Sequence, residues 1–306
     1  MPDAFNLLFL TDFQDPSYRA IPAISYLASQ IETSLTILHV YRGADEREDA
    51  EGDVRSFFAE AEHYAGCRRI AIEAHGEDHA AALVEQYCKT ARPDLIIAPG
   101  GDRLAPLRWL RSSFRGRLLE RVDAPLWTFT ARAGERVRFG STRRIACYVD
   151  FESENINHLV AAVDLAAHLD ATLQLLHVVP NVSEGTLGVG WHTDRPLHAD
   201  VAERRLRHLL NPFHRRVEVA VGVGDEETAL PELLEQCRSD LVFFGEGQAM
   251  SRSLFGRACL RPIVKRSPCP AICMDGAGAA AVRWDFGVPV AQQTRIQSPV
   301  LVDLSR

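Results

Sequence analysis

No apolar run in this chain reaches the roughly 20 residues needed to span a bilayer, and the amino terminus has no basic segment followed by a signal-like apolar core. The expected compartment is the cytoplasm, with no membrane partner. Positive charge is also short: 34 Lys and Arg stand against 41 Asp and Glu, a net charge of -7. That balance argues against a nucleic-acid partner or an anionic membrane, both of which reward a basic surface. Cysteine is present seven times, an odd number without framework spacing, which fits reduced thiols better than a disulfide scaffold. Cys269 and Cys273 look paired in SPCPAIC. If that segment is extended, four residues at about 3.3 Å hold them roughly 13 Å apart, beyond disulfide reach. They are therefore read as buried thiols. Gly-x-Ser-x-Gly, a Walker loop with its lysine, Cys-x-x-Cys and a zinc-protease helix are all lacking. Nothing announces catalysis, and the reading leans away from an enzyme.

What the chain does contain, it contains twice. The run NLLFLTD, ending in Asp12, is answered by RIACYVD, ending in Asp150. SLTILHV is answered by TLQLLHV, and the pairs His39-Val40 and His177-Val178 are displaced by the same interval as the two aspartates. Asp94-Leu-Ile-Ile-Ala-Pro-Gly-Gly is echoed by Asp240-Leu-Val-Phe-Phe-Gly-Glu-Gly, Gly116-Arg117 by Gly256-Arg257, and Ala124-Pro125 by Cys269-Pro270. A length of 306 residues, 46% apolar and 25% charged, suits two globular domains. The boundaries expected are 1–131 and 143–274, with a polar linker at 132–142 and a tail at 275–306 that has no counterpart in the first copy. That tail reads as extended, able to add to a sheet edge or to pack on its own domain.

Within the first copy, Leu7 to Leu10 is a continuous apolar run, as expected of a strand covered on both faces. Asp15, Pro16 and Ser17 signal a helix start, and Ile21, Ile24, Leu27, Ala28 and Ile31 recur at helical spacing. Strands are expected at Leu35 to Val40, Arg69 to Glu73, Leu95 to Ala98 and Leu126 to Phe129. Between them lie an acidic loop around Asp45 to Asp53, helices at Val54 to Ala65 and Ala80 to Ala91, and an arginine-rich helical stretch from Leu104 to Arg121. The second copy repeats the order, with strands at Ile145 to Val149, Thr172 to Val178, Val217 to Val221, Leu241 to Phe244 and Ala271 to Met274. Its helices fall at Ile156 to Leu169, Ala199 to Leu210 and Thr228 to Cys237, and a last helical stretch runs to Arg266. The alternation predicts an α/β fold in two tandem repeats, each a parallel sheet with helices on both faces.

A strand ending in Asp, a second ending in Leu-His-Val, a DLIV-like strand running into glycines, then a helix and Cys-Pro before the last strand resemble the universal stress protein family in its tandem form. The similarity covers residues 5 to 130 and 143 to 274. It implies a five-stranded parallel sheet per repeat, a Rossmann-like arrangement of the adenine nucleotide alpha hydrolase kind, with ligand at the carboxyl ends of the strands. By resemblance, Asp12 with Val40 and Asp150 with Val178 would hold adenosine. The family's phosphate loop reads Gly-x2-Gly-x9-Gly-(Ser/Thr), where glycine lets the backbone approach the phosphates. Here the first copy offers Gly100, Gly101, then Gly116 and Arg117; the second offers Gly245, Gly247, then Gly256 and Arg257, with shorter spacing. Arginine replaces the small hydroxyl residue in both. A guanidinium can serve a phosphate with charge and a fork of donors, and Arg103, Arg108, Arg111, Arg115 and Arg117 crowd the first loop. The competing reading is a solvated helix face paired with neighbouring acids.

His75-Gly-Glu-Asp-His79 gathers polar groups but offers no third metal ligand at suitable spacing, so no metal is assigned. His39 and His177 end buried strands and are read as bonded to nearby backbone. Gly185 to Gly190 fails as a dinucleotide fingerprint because it does not open a helix directly after a strand. The resemblance thus implies a regulatory or sensing stress protein, binding ATP or AMP with magnesium, or another anionic small molecule, in one or both clefts. It also implies an unidentified protein partner and pairing of the two halves through their last strands, with further homodimerisation open. The alternative is an interaction module that kept the fold and lost the nucleotide; a slow ATPase ranks third.

Overall fold

The computed structural model describes residues 4–30, 32–59, 66–100, 112–128, 142–151, 157–180, 195–209, 217–252 and 258–274. In the first half these form β1 (Phe5–Thr11), α1 (Asp15–Gln30), β2 (Thr33–Tyr41), α2 (Arg47–Ser56), β3 (Arg68–Glu73), α3 (Glu77–Ala91), β4 (Leu95–Ile97), α4 (Ser112–Arg121) and β5 (Leu126–Thr128). The second half gives β6 (Arg144–Tyr148), α5 (Asn157–His168), β7 (Thr172–Val179), α6 (Arg195–Leu209), β8 (Val217–Val223), α7 (Glu226–Gln236) and β9 (Leu241–Gly245). It continues with the one-turn helix α8 (Glu246–Ala249), β10 (Met250–Arg252), β11 (Ala258–Leu260), a second one-turn helix α9 (Pro262–Lys265) and β12 (Ala271–Met274).

Ten strands make one sheet in the order β3-β2-β1-β4-β5-β12-β9-β6-β7-β8. Each half contributes five parallel strands. The halves join where β5 meets β12 antiparallel, with Trp127 opposite Ile272 and Leu126 opposite Cys273. The last strands of the two repeats therefore lie side by side, as the resemblance implied. Strand residues alternate between two apolar layers. Leu7, Phe9, Ile37, Trp127 and Ile272 face α1, α2, α5 and α6, while Leu8, Leu10, Leu126, Phe244 and Cys273 face α3, α4, α7 and α9. Both layers run unbroken through the β5–β12 junction, so the cores of the two halves are continuous.

Two local features depart from the sequence expectations. The acidic segment read as a loop is a short 3-10 turn (Ala44–Glu46) running into α2, so the helix starts at Arg47 and ends at Ser56. Buried Ala50 and Val54 supply its apolar stripe. Arg69 on β3 stops it by donating to the carbonyls of Val54, Phe57 and Phe58 at 3.0, 2.6 and 3.1 Å, satisfying helix-end acceptors. In the second half, the stretch expected to be helical up to Arg266 instead pairs β10 with β11 antiparallel between one-turn helices, and β11 packs on α4 of the first half. Gly116 lies inside α4, within the stretch expected to be helical, and so is not part of a glycine loop. Most of the expected linker, all but Thr142, and the 275–306 tail lie outside the described residues, as do Gly101, Gly256, Arg257 and the Gly185 to Gly190 run.

Among the described residues, no helix is long and apolar enough to cross a membrane. Cys269 and Cys273 are both buried and not disulfide-bonded.

Candidate functional site

Strand order reverses direction on either side of β1 and β4 in the first half, and of β6 and β9 in the second. Crossovers leave the two strands of such a pair on opposite sides, opening a crevice at their carboxyl ends where open parallel sheets take ligands. Asp12 follows β1 directly and Gly100 lies just beyond β4; Asp150 and Gly245 hold the matching places beside β6 and β9. Val40 and Val178 are buried near the ends of the neighbouring strands β2 and β7. The fold thus brings together six of the residues picked out by repetition.

In the first crevice Asp12 is buried, only 1% exposed. Its Oδ1 accepts from the Gln14 backbone N–H at 3.1 Å and from the Ser17 hydroxyl at 2.9 Å, which ties it to the start of α1. Its Oδ2 is buried and has no hydrogen-bond partner among the described residues. Burial raises the carboxyl above its ordinary range, against the pull of the Gln14 and Ser17 bonds. A buried carboxylate oxygen without a donor is costly, and a ligand donor is one way to satisfy it.

Beside it, Phe13 takes a left-handed conformation, φ 57°, and its ring lies 4.2 Å from that of His39. His39 Nδ1 is 2.8 Å from the Thr11 carbonyl, which can only accept, so that nitrogen carries the hydrogen. The second half repeats the arrangement: Phe151 has φ 60°, its ring is 4.6 Å from His177, and His177 Nδ1 donates to the Val149 carbonyl at 2.6 Å. Burial lowers the pKa of both histidines. A bulky residue at positive φ is strained. The same strain at the same place in both repeats marks a shared local design, and the repeated Asp-Phe dipeptide was its signal in the sequence.

The second crevice is furnished differently. Gly245 donates its N–H to the Gln248 side chain at 3.0 Å, and a Cβ there would lie 3.2 Å from His158 Nδ1, so glycine admits the buried imidazole. His158 Nε2 in turn donates to the Tyr148 carbonyl at 3.0 Å. Gly247 meets no such constraint, since a Cβ would find open space. Arg261 pairs with Glu226 at 2.6 Å, and Glu226 also accepts from Tyr148, whose hydroxyl burial pushes strongly toward its neutral form. Among these, His158, Tyr148 and Gln248 had no counterpart in the repeat and left no mark in the sequence pattern.

Of the arginines on α4, Arg117 is buried and paired with Glu77 at 3.6 Å and Asp78 at 2.5 Å, both in the first turn of α3. Arg121 reaches Glu85 at 3.3 Å. Arg115 is buried too, but its guanidinium donates to the Thr128 hydroxyl at the end of β5. The repeated Asp94 and Asp240 sit at the opposite edge, where their carboxylates accept from the backbone N–H groups of Asn6 (2.7 Å) and of Arg143 and Arg144 (2.8 and 3.0 Å). These two aspartates start strands and do not line the crevice.

The model of the universal stress protein family matches residues 141–274. No curated protein sequence matches the chain. Among solved structures, the chain is similar to a universal stress protein from Archaeoglobus fulgidus DSM 4304, with a TM-score of 0.61 and 14% identity, covering 89% of this chain and 96% of that one. It is also similar to a functionally unknown protein from Pseudomonas aeruginosa PAO1, with a TM-score of 0.59 and 14% identity over 92% of this chain and 96% of the other. At those identities the likeness is one of fold. Residues 141–274 thus carry a domain that matches the universal stress protein family, and the fold of the whole chain is similar to that of a solved universal stress protein.

Proposed function

We propose that this protein is a two-domain stress regulator that senses an adenine nucleotide, or another small molecule carrying an anionic group, in the crevice between β1 and β4. The domains are assigned to residues 1–131 and 143–274. The observation that carries the reading is the Asp12 carboxyl: buried, at a strand-order switch point, with Oδ2 unpartnered among the described residues. Val40 and Gly100 would flank the ligand there, and Asp150, Val178 and Gly245 would do so in the second crevice. Such a ligand acts by binding one arrangement of the crevice better than another, which biases the surface offered to a partner and needs no chemistry.

Arg117 is excluded from the ligand set in this reading, because Glu77 and Asp78 already neutralise it. That same pairing, together with Gly116 inside α4, favours the second reading, an interaction module without nucleotide. Calorimetric titration with ATP, ADP and AMP, with and without magnesium, separates the two. Micromolar binding weakened by Asp12→Ala or by Asp150→Ala supports the sensor and assigns the crevice. Absence of binding up to millimolar nucleotide defeats it and leaves the interaction module.

A further inference from the structure

We propose that Arg115 is the anchor for an oxyanion, free or as the phosphate of a nucleotide, in the first crevice, and that no described residue of the second crevice supplies such an anchor. The inference rests on the reading of the β1–β4 crevice as a ligand site and adds the charge that selects the ligand.

Three arginines of α4 sort themselves by partner. Arg117 and Arg121 each reach carboxylates, those of Glu77 with Asp78 and of Glu85. Arg115, 6% exposed, reaches the neutral hydroxyl of Thr128 and has its Nε buried without a partner among the described residues. No described carboxylate lies within the 4.0 Å of an ion pair. Thr128 is the last residue of β5, so this guanidinium stands at the carboxyl edge of the sheet, with only β4 between its strand and β1, where Asp12 begins.

The acidic groups that act on Arg115 are Cys273 and Asp12. Burial pushes the Cys273 thiol up to about 12, which keeps it neutral, and burial also raises the Asp12 carboxyl above its ordinary range. The guanidinium, brought down only to about 10 by burial, stays charged at neutral pH. A buried cation that makes no ion pair with any described carboxylate is among the costlier features of a fold. An oxyanion supplies both the charge and the acceptor that Nε lacks, and Arg presents a fork suited to it. In the second half, Arg261 and Arg266 are each matched to an acid, Glu226 and Glu227.

The test titrates inorganic phosphate, AMP and adenosine into the wild type, Arg115→Met and, as a control, Arg117→Met. Expected for Arg115→Met is a loss of about tenfold or more in affinity for phosphate and AMP, with adenosine unchanged and Arg117→Met close to wild type. If Arg115→Met does not fold, the wild type alone decides. Its melting temperature should rise in millimolar phosphate relative to chloride at equal ionic strength, and no rise overturns the proposal. AMP binding that Asp12→Ala weakens and Arg115→Met spares also overturns it, while the nucleotide reading stands. Phosphate binding lost in Arg115→Met, without any binding of AMP, supports the anchor and defeats the nucleotide reading instead.

Discussion

The His39 imidazole is held 2.8 Å from the main-chain carbonyl of Thr11, a bond from the end of β2 back to the end of β1 that His177 and Val149 reproduce at 2.6 Å in the other repeat. The bond needs a hydrogen on Nδ1 and leaves the second nitrogen in a buried setting, where a further proton is resisted.

That resistance sets a pH dependence. Burial lowers the folded pKa of His39, His158, His168 and His177 below the ordinary histidine value of 6.5. A depressed folded pKa means that the unfolded chain takes up protons first, so stability is intact above pH 6.5 and is lost as pH falls through the folded values. Urea midpoints should fall between pH 7.5 and 5. Replacing His39 and His177 together by Gln should flatten that slope, and an unchanged slope would show that these two histidines do not carry it.

Asp12 has the opposite sign. Its folded pKa is raised above 3.8, so its contribution to stability is fully present below 3.8 and is lost as pH rises through the folded value. At pH 8 the ionised carboxylate therefore costs the fold something. Asp12→Asn keeps an oxygen for the Gln14 and Ser17 bonds while removing the charge. It should raise stability at pH 8 by about 1 kcal/mol, the usual scale of one substitution, and lose that advantage on acidification. The same variant should weaken the proposed ligand, the signature of a group kept for binding at the expense of stability. A pH-independent difference from wild type would contradict the assignment.

Asp240 should behave as a purely structural residue. Its carboxylate accepts two backbone N–H groups at the start of β6, and Asp240→Ala strands both. A loss of roughly 1–3 kcal/mol is expected, read from chemical denaturation, with ligand affinity untouched. An affinity change comparable to that of Asp12→Ala would mean that the two ends of the sheet are coupled.

How much of this was legible depends on whether the signal was periodic. Leu7 to Leu10 and Ala271 to Met274 read correctly as strands because burial on both faces demands unbroken apolar runs. Repetition found Asp12, Asp150 and the histidines. It could not sort them from Asp94 and Asp240, since an aspartate that starts a strand recurs as faithfully as one that lines a crevice. The helix expected from Val54 begins instead at Arg47, because its stripe is only Ala50 and Val54 within an acidic stretch that looks like a loop. The β10–β11 hairpin was missed because packing on α4 of the other half decides it, a contact that no local pattern records. The partners of Arg115 and Arg117 were equally invisible: both are arginines of one cluster, and only the fold sends one to two carboxylates and the other to a hydroxyl.

The junction of the two halves yields the last prediction. Trp127 and Ile272 face each other across β5 and β12, both fully buried, and their layer continues into Phe9 and Ile37 on one side and Cys147 and Leu175 on the other. Two domains that merely touched would unfold separately, because each would keep its own core. Here the apolar layers are shared, so truncating the junction should weaken both halves at once. Ile272→Ala is expected to cost about 2–5 kcal/mol. The whole chain should still unfold in one transition, with Trp127 fluorescence and far-ultraviolet circular dichroism giving coincident midpoints. If the variant instead melts in two steps, the halves possess independent cores and the antiparallel junction is a contact between finished domains.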